Sequence, residues 1–237
     1  MTSHPGTLYG LGVGPGDPEL LTLKAVRLLQ EADVIAYPAP MEGASMARSI
    51  AAPHIPEGRT EIAIRMPMVE ARFPAQDVYD KAAAEIAAHL DDGRSVAVLC
   101  EGDPFFYGSF MYLFGRLASD HRTVVVPGVS ALTATAAAAG APLAARNDVL
   151  TVLPGPLEEE ALVERLARAE AVAIIKVGRH LAKVKRALAA TGLDHGAHYI
   201  SHASMAQQRV VALGDLHEDT APYFSMILAH RRGDAWS

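Results

Sequence analysis

The stretch Gly10-Leu-Gly12-Val-Gly14-Pro15-Gly16-Asp17-Pro18 decides the fold. It follows an apolar run from Thr7 to Val13, read as a strand, and precedes Pro18 to Glu31, read as a helix. Glycine at such a corner lets backbone approach another group closely. A dinucleotide fingerprint needs a glycine at the sixth position, where this chain has Pro15 or Asp17, depending on the start. A phosphate-binding P-loop is excluded too, because no Gly-Lys-Ser/Thr closes the turn. Asp17 is a helix N-cap and Pro18 a first helical residue. The same device recurs. Glu101-Gly102-Asp103-Pro104 follows the strand Ser95 to Cys100, and Pro127-Gly128-Val-Ser130-Ala131 follows Thr123 to Val126. If the strands are parallel neighbours, these corners meet at one carboxyl edge, where open α/β sheets bind ligands. Free N–H groups there favour an anion, whereas Asp103 offers a negative charge to an amine or a sulfonium.

Outward from these corners, strands and helices alternate. Asp33 to Tyr37 is a strand closed by Pro38 and Pro40, and Gln76 to Leu90, Phe105 to Ala118 and Ser130 to Ala139 are helices. The second half differs. Strands at Val149 to Leu153 and Ala171 to Lys176 alternate with helices at Glu158 to Ala169 and His180 to Ala190. Three consecutive strands follow, at His198 to Ser201, Arg209 to Leu213 and Tyr223 to Leu228, which suits a mixed sheet. The expected division is 1–126 and 127–237.

The 237 residues and 25.1 kDa leave roughly 10,000 Å² exposed out of roughly 36,000 Å² for the extended chain, so a real core forms without staples. Half the residues are apolar and the net charge is −6, which excludes global disorder and a general nucleic-acid coat. Cys100 is the one cysteine, which fits a reducing cytosol. It reads as a small buried apolar residue, since no partner base is evident. No signal peptide is visible, and Ala131 to Ala145 is too short and weakly apolar to span a bilayer. A soluble cytoplasmic protein without a membrane or nucleic-acid partner is expected. His195, His198 and His202 surround Gly196 and a strand rather than one helix face, so no metal site is expected.

Taken together, Gly12 to Ala25, Gly102-Asp103-Pro104-Phe-Phe-Tyr107-Gly108 and Pro127 to Ala131 resemble the tetrapyrrole methylase family over essentially the whole chain. The resemblance implies an α/β fold of two α/β domains with the active-site cleft between them, not a Rossmann methyltransferase. It also implies a homodimer and S-adenosyl-L-methionine as methyl donor. Carried over position by position, it implies cofactor contacts at Pro15, Glu101, Gly102, Asp103, Phe106, Ser130 and Ala131. Lys176 and Ala203 match positions bordering the adenine. Ala36-Tyr37-Pro38-Ala39-Pro40, Met66-Pro67-Met68 and Ile175-Lys176-Val177-Gly178-Arg179 resemble the branch that methylates precorrin-2.

One departure is informative. The branch that methylates uroporphyrinogen carries an Asp, proposed as proton acceptor, where this chain has Pro38. The base is therefore open, with Tyr37 and Tyr107 as candidates. A polycarboxylate tetrapyrrole needs local positive charge, and arginine forks suit carboxylates. Arg48, Arg65 and Arg146 are the candidate substrate arginines, with Arg72 beside them. A cobalt-loaded substrate, another ring position, or a non-catalytic binding module stay open as alternatives.

Overall fold

The computed structural model describes residues 6–67 and 76–233; Met68 and Arg72 lie outside them. The chain divides into two compact units, Met1–Ser130 and Ala131–Ser237.

In the first unit, five parallel strands form a sheet: β1 (Leu8–Gly12), β2 (Val34–Pro40), β3 (Thr60–Met66), β4 (Val96–Cys100) and β5 (Thr123–Val126). Their order is β3-β2-β4-β1-β5. This differs from the dinucleotide-binding order 3-2-1-4-5, because β4 is inserted between β2 and β1. Both faces are covered, which is why β4 reads Val-Ala-Val-Leu-Cys without a polar residue. Val96, Val98 and Cys100 face α3 (Gln76–Asp91) and α4 (Phe110–Leu117), while Ala97 and Leu99 face α1 (Leu23–Glu31) and α2 (Met46–Ala51). Complete burial of a residue such as Leu99 contributes about 1.5–3 kcal/mol.

Three of the expected boundaries are redrawn. The expected Pro18–Glu31 helix is broken. Asp17 caps a short 3-10 turn at Pro18–Leu20, and Thr22 then starts α1 afresh by accepting from the Ala25 N–H at 3.1 Å. The expected Phe105–Ala118 helix begins only at Phe110, because the chain first turns around Asp103 and passes through Tyr107 at φ 57°. Strand β2 runs on through Pro38 and Pro40, where it pairs with β3 but no longer with β4, so each missing N–H costs no ladder bond on that side.

In the second unit the sheet is mixed: β6 (Leu150–Pro154), β7 (Ala171–Ile175), β10 (Ser225–His230), β8 (His198–Ser201) and β9 (Arg209–Ala212), in that spatial order. Strands β6 and β7 are parallel; β10 runs antiparallel to β7 and β8, and β9 antiparallel to β8. Helices α6 (Glu159–Leu166) and α7 (Leu181–Thr191) cover one face, and α5 (Ala131–Ala139) packs on the other through Leu132. Glycine 192, at φ 67°, ends α7 in the left-handed conformation usual for a helix C-terminus.

Candidate functional site

The strand order makes β4, β1 and β5 neighbours, so the three glycine corners emerge side by side at the carboxyl edge of the first sheet. The first two corners exchange backbone bonds: Gly102 N–H donates to Gly14 O at 2.8 Å, and Gly14 N–H donates to Gly102 O at 3.3 Å. The third is pressed against both. A Cβ on Gly12 would lie 2.5 Å from Gly128 N, and one on Gly128 would lie 2.1 Å from Gly102 O. No side chain fits there, so backbone alone shapes this edge. Gly10 has a different reason. A Cβ there would strike the Phe110 ring at 2.4 Å, so it is a core-packing glycine and not part of the edge.

Asp103 ties the corners together. Its Oδ1 accepts from Phe105 N–H at 2.9 Å and Phe106 N–H at 3.1 Å, and its Oδ2 accepts from Gly128 N–H at 3.1 Å. Both carboxylate oxygens therefore bond backbone N–H groups, and one of these bonds reaches across to the third corner. Phe106, exposed on the same loop, stands edge-on to Tyr107 at 5.2 Å. Pro15 is buried in the first corner and Ser130 ends the third.

Glu101 is half-buried, and its Oε1 accepts from Ala47 N–H at the start of α2, at 3.2 Å. Burial pushes its carboxyl above the usual carboxylate range, against the pull of backbone donors. Because the folded value is raised, the stability linked to this proton is fully present below the unfolded value and is lost as pH rises through the folded one. Glu101→Gln keeps the Oε1 acceptor and removes the enclosed charge. It is therefore expected to melt higher than the wild type at pH 8 and nearly level with it at pH 4. Equal melting differences at both pH values would show that no enclosed charge acts there.

The remaining candidates separate. Tyr37 and Arg48 meet on one carboxylate. Arg48 grips Glu61 through Nε at 3.0 Å and Nη2 at 2.9 Å, and Tyr37 lies close enough to the same carboxylate to feel its charge. Burial first, then Glu61, pushes the Tyr37 hydroxyl above its ordinary value. Arg65 donates to Pro40 O at 2.8 Å and Gly43 O at 3.1 Å, bracing the loop after β2. Glu61 and the Ala47 N–H escaped the sequence reading. Glu61 was legible as part of the alternation Glu61-Ile-Ala-Ile-Arg65, which marks β3.

Ala131, Lys176 and Ala203 belong to the second unit. Lys176 follows β7 at φ 55°, and Ala203 sits between His202 at φ 51° and Ser204 at φ 66°, just after β8. Strands β7 and β8 both oppose β10, so these residues share one sheet edge beside Ser225. Three non-glycine residues in the left-handed region at one edge are the kind of strain that gathers at ligand sites. Among the described residues, no three His, Cys, Asp or Glu side chains are arranged to hold a metal ion. Cys100 is buried, and burial pushes its thiol up to about 11, the opposite of an activated nucleophile.

Comparisons with known proteins bear on this edge. Residues 7–218 match the family model for Tetrapyrrole (Corrin/Porphyrin) Methylases. A Sinorhizobium protein named precorrin-2 C(20)-methyltransferase is 43% identical over 94% of this chain and 94% of that protein. The cobalamin biosynthesis protein CobIJ of Mycobacterium tuberculosis (strain H37Rv) is 45% identical over 95% of this chain. This chain spans about half the length of that relative, 46%. The crystal structure of a uroporphyrin-III C-methyltransferase from Thermus thermophilus, complexed with S-adenosylhomocysteine, superposes with a TM-score of 0.70 at 24% identity. The match covers 95% of this chain and 92% of that one, and shares the fold.

Proposed function

The chain belongs to the tetrapyrrole methylase family, and from that premise we propose that it methylates C-20 of precorrin-2, giving precorrin-3A, in cobalamin biosynthesis. The observation that carries this reading is the glycine-lined edge made by Gly12, Gly102 and Gly128, the corner segments on which the family resemblance rests. A Cβ at Gly12 or Gly128 would strike the backbone of the neighbouring corner, so the three corners pack backbone on backbone, and S-adenosyl-L-methionine is the cofactor of the family to which they belong. When bound, the cofactor supplies a methyl group on a sulfonium, which needs no further activation by the protein. The chain's part is to bind, orient and exclude water. Pro15, Glu101, Gly102, Asp103, Phe106 and Ser130 would hold the cofactor in the first unit, and Ala131, Lys176 and Ala203 in the second. Alignment of this kind contributes roughly 7–11 kcal/mol of barrier reduction. A proton must leave the methylated carbon, and Tyr37 and Tyr107 remain the candidates to assist.

The experiment is incubation with methyl-labelled cofactor and precorrin-2 under anaerobic conditions. The expected product carries one labelled methyl at C-20. A label at another ring position would move the chain to a sibling reaction, and no incorporation would sink the enzymatic reading. The same reading includes a homodimer in the cytoplasm. Half-exposed Phe105, Phe106 and Phe114 support a partner surface, and sedimentation near twice the 25.1 kDa chain mass checks it. Among the described residues no helix is long and apolar enough to cross a membrane.

A further inference from the structure

The proton that leaves the methylated carbon needs an acceptor, and a phenol is a poor one. Its ordinary value is about 10, and burial pushes the Tyr37 hydroxyl higher still. The edge of the first sheet offers a carboxyl instead. Glu101 stands between the end of β4 and Gly102, and Gly102 exchanges backbone bonds with Gly14 in the neighbouring corner. The backbone of Glu101 therefore runs directly into the three-corner edge. Its half-buried side chain reaches the start of α2, where Oε1 accepts the Ala47 N–H at 3.2 Å. Among the described residues, no donor from another residue is bonded to Oε2. Nor is Oε2 one of the sealed, unpartnered atoms, which are Arg59 Nε and His89 Nδ1. One oxygen of this carboxyl is thus anchored and the other is open.

The charged and titratable groups around Glu101 leave it uncompensated. Arg48, next along α2, is forked onto Glu61. Asp103, two residues on, is bonded to three backbone N–H groups. Asp17, in the corner after β1, accepts from Glu19 N–H. Cys100 on β4 and Tyr37 on β2 are neutral groups whose protons burial holds in place. None of these charges governs the Glu101 proton. Burial raises its carboxyl, and only its own N–H and that of Ala47 pull the other way. The ionisation of such a carboxyl responds to a single charge brought beside it.

We propose that Glu101 is the proton acceptor of the methyl transfer, ionised beside the cofactor's sulfonium and protonated once the sulfur is a neutral thioether. The proposal rests on the reading of the chain as an S-adenosylmethionine-dependent methylase. The bond from sulfur to methyl breaks with its electron pair left on sulfur, while the bond from methyl to ring carbon forms. The C–H electron pair of that carbon then returns to the ring, and the proton goes to the Glu101 carboxylate. The acceptor is charged when the proton is still on carbon, and its proton affinity rises when the positive charge is spent.

The test has a binding arm that needs no turnover. S-adenosylmethionine and S-adenosylhomocysteine are titrated calorimetrically from pH 5 to pH 8, in buffers of different ionisation enthalpy. The wild type is expected to release up to about one proton more on binding the sulfonium than on binding the thioether, because the sulfonium favours the ionised carboxyl. Glu101→Gln is expected to abolish that difference. Equal proton release for the two ligands in the wild type, or a difference that survives in Glu101→Gln, would overturn the proposal. A wild type that binds neither ligand would fell the cofactor reading itself, and this proposal with it. The kinetic arm uses precorrin-2. Glu101→Gln is expected to lower kcat about 100-fold with the tetrapyrrole KM unchanged, and to flatten the rise of kcat with pH. Glu101→Asp, which keeps a carboxylate one methylene shorter, should lose less and keep the pH dependence. Thermal melts run alongside, and Glu101→Gln is expected to melt no lower than the wild type, so lost turnover there is not lost fold. An unchanged kcat in Glu101→Gln, or equal losses in the Gln and Asp variants, would overturn the assignment of the acceptor.

Discussion

Gly128→Ala is expected to weaken S-adenosylmethionine binding about 100-fold. The new Cβ would sit 2.1 Å from Gly102 O, which is backbone and cannot swing aside. The corner after β5 must move away from the corners after β1 and β4, by roughly the 1 Å that costs two orders of magnitude in a positioned site. Overpacking of this kind costs about 1–3 kcal/mol of stability. Each kcal/mol lowers the melting temperature by about 2–4 °C in a chain of this size. Gly115→Ala is the matched control. It lies inside α4 with nothing within 4 Å of the added methyl, and alanine there is expected to stabilise by up to about 1 kcal/mol. Calorimetric titration with the cofactor reads the first effect and thermal melting the second. A Gly128→Ala protein that binds like the wild type would remove the three-corner edge from the cofactor site.

Asp103 carries the second large effect. Asp103→Ala strips an acceptor from three N–H groups, those of Phe105, Phe106 and Gly128. Leaving these N–H groups without their acceptor costs about 1–3 kcal/mol, so the melting temperature falls whatever the loop does. Asp103→Asn separates the roles. Its remaining oxygen can still accept from Phe105 and Phe106, while its amide nitrogen faces Gly128 N–H and accepts nothing. The Asn variant is expected to melt within a few degrees of the wild type yet bind the cofactor about tenfold more weakly. Unchanged affinity in Asp103→Asn would mean that the tie between the second and third corners does not shape the binding edge.

The local devices of this fold are readable residue by residue. The apolar runs read as strands at Ser95 to Cys100 and Ala171 to Lys176 are buried on both faces, and the β-strands there are each one residue shorter, at Val96–Cys100 and Ala171–Ile175. The β-branched run at Thr123–Val126 and the strand at His198–Ser201 also fall where the pattern puts them. Capping chemistry was harder to read. Thr22 and Asp103 each end or delay a helix through one side-chain oxygen, and hydrophobic spacing runs past both without a break. Short elements escaped as well. Helix α2 has six residues and takes its start from the Ser45 side chain, so it has no turn-long apolar stripe to betray it.

What the sequence determined by itself is the set of corners and their chemistry. Glycines at positions 12, 102 and 128 after apolar runs, with Asp103 and Ser130 beside them, define an α/β chain of the tetrapyrrole methylase family. Spacing and turn preference act over a few residues, so a linear reading captures them. Only the tertiary structure decided which groups meet. Insertion of β4 between β2 and β1 puts the three corners side by side. The same packing brings Ala47 N–H to Glu101 across 54 positions and Arg232 to Asp148 across 84. It also sorts three equivalent-looking arginines: Arg48 is bound to Glu61, Arg65 to carbonyls, and Arg146 is held outward on a strained turn. Pairings over such separations follow from strand order and core packing, and no local pattern in the chain encodes them.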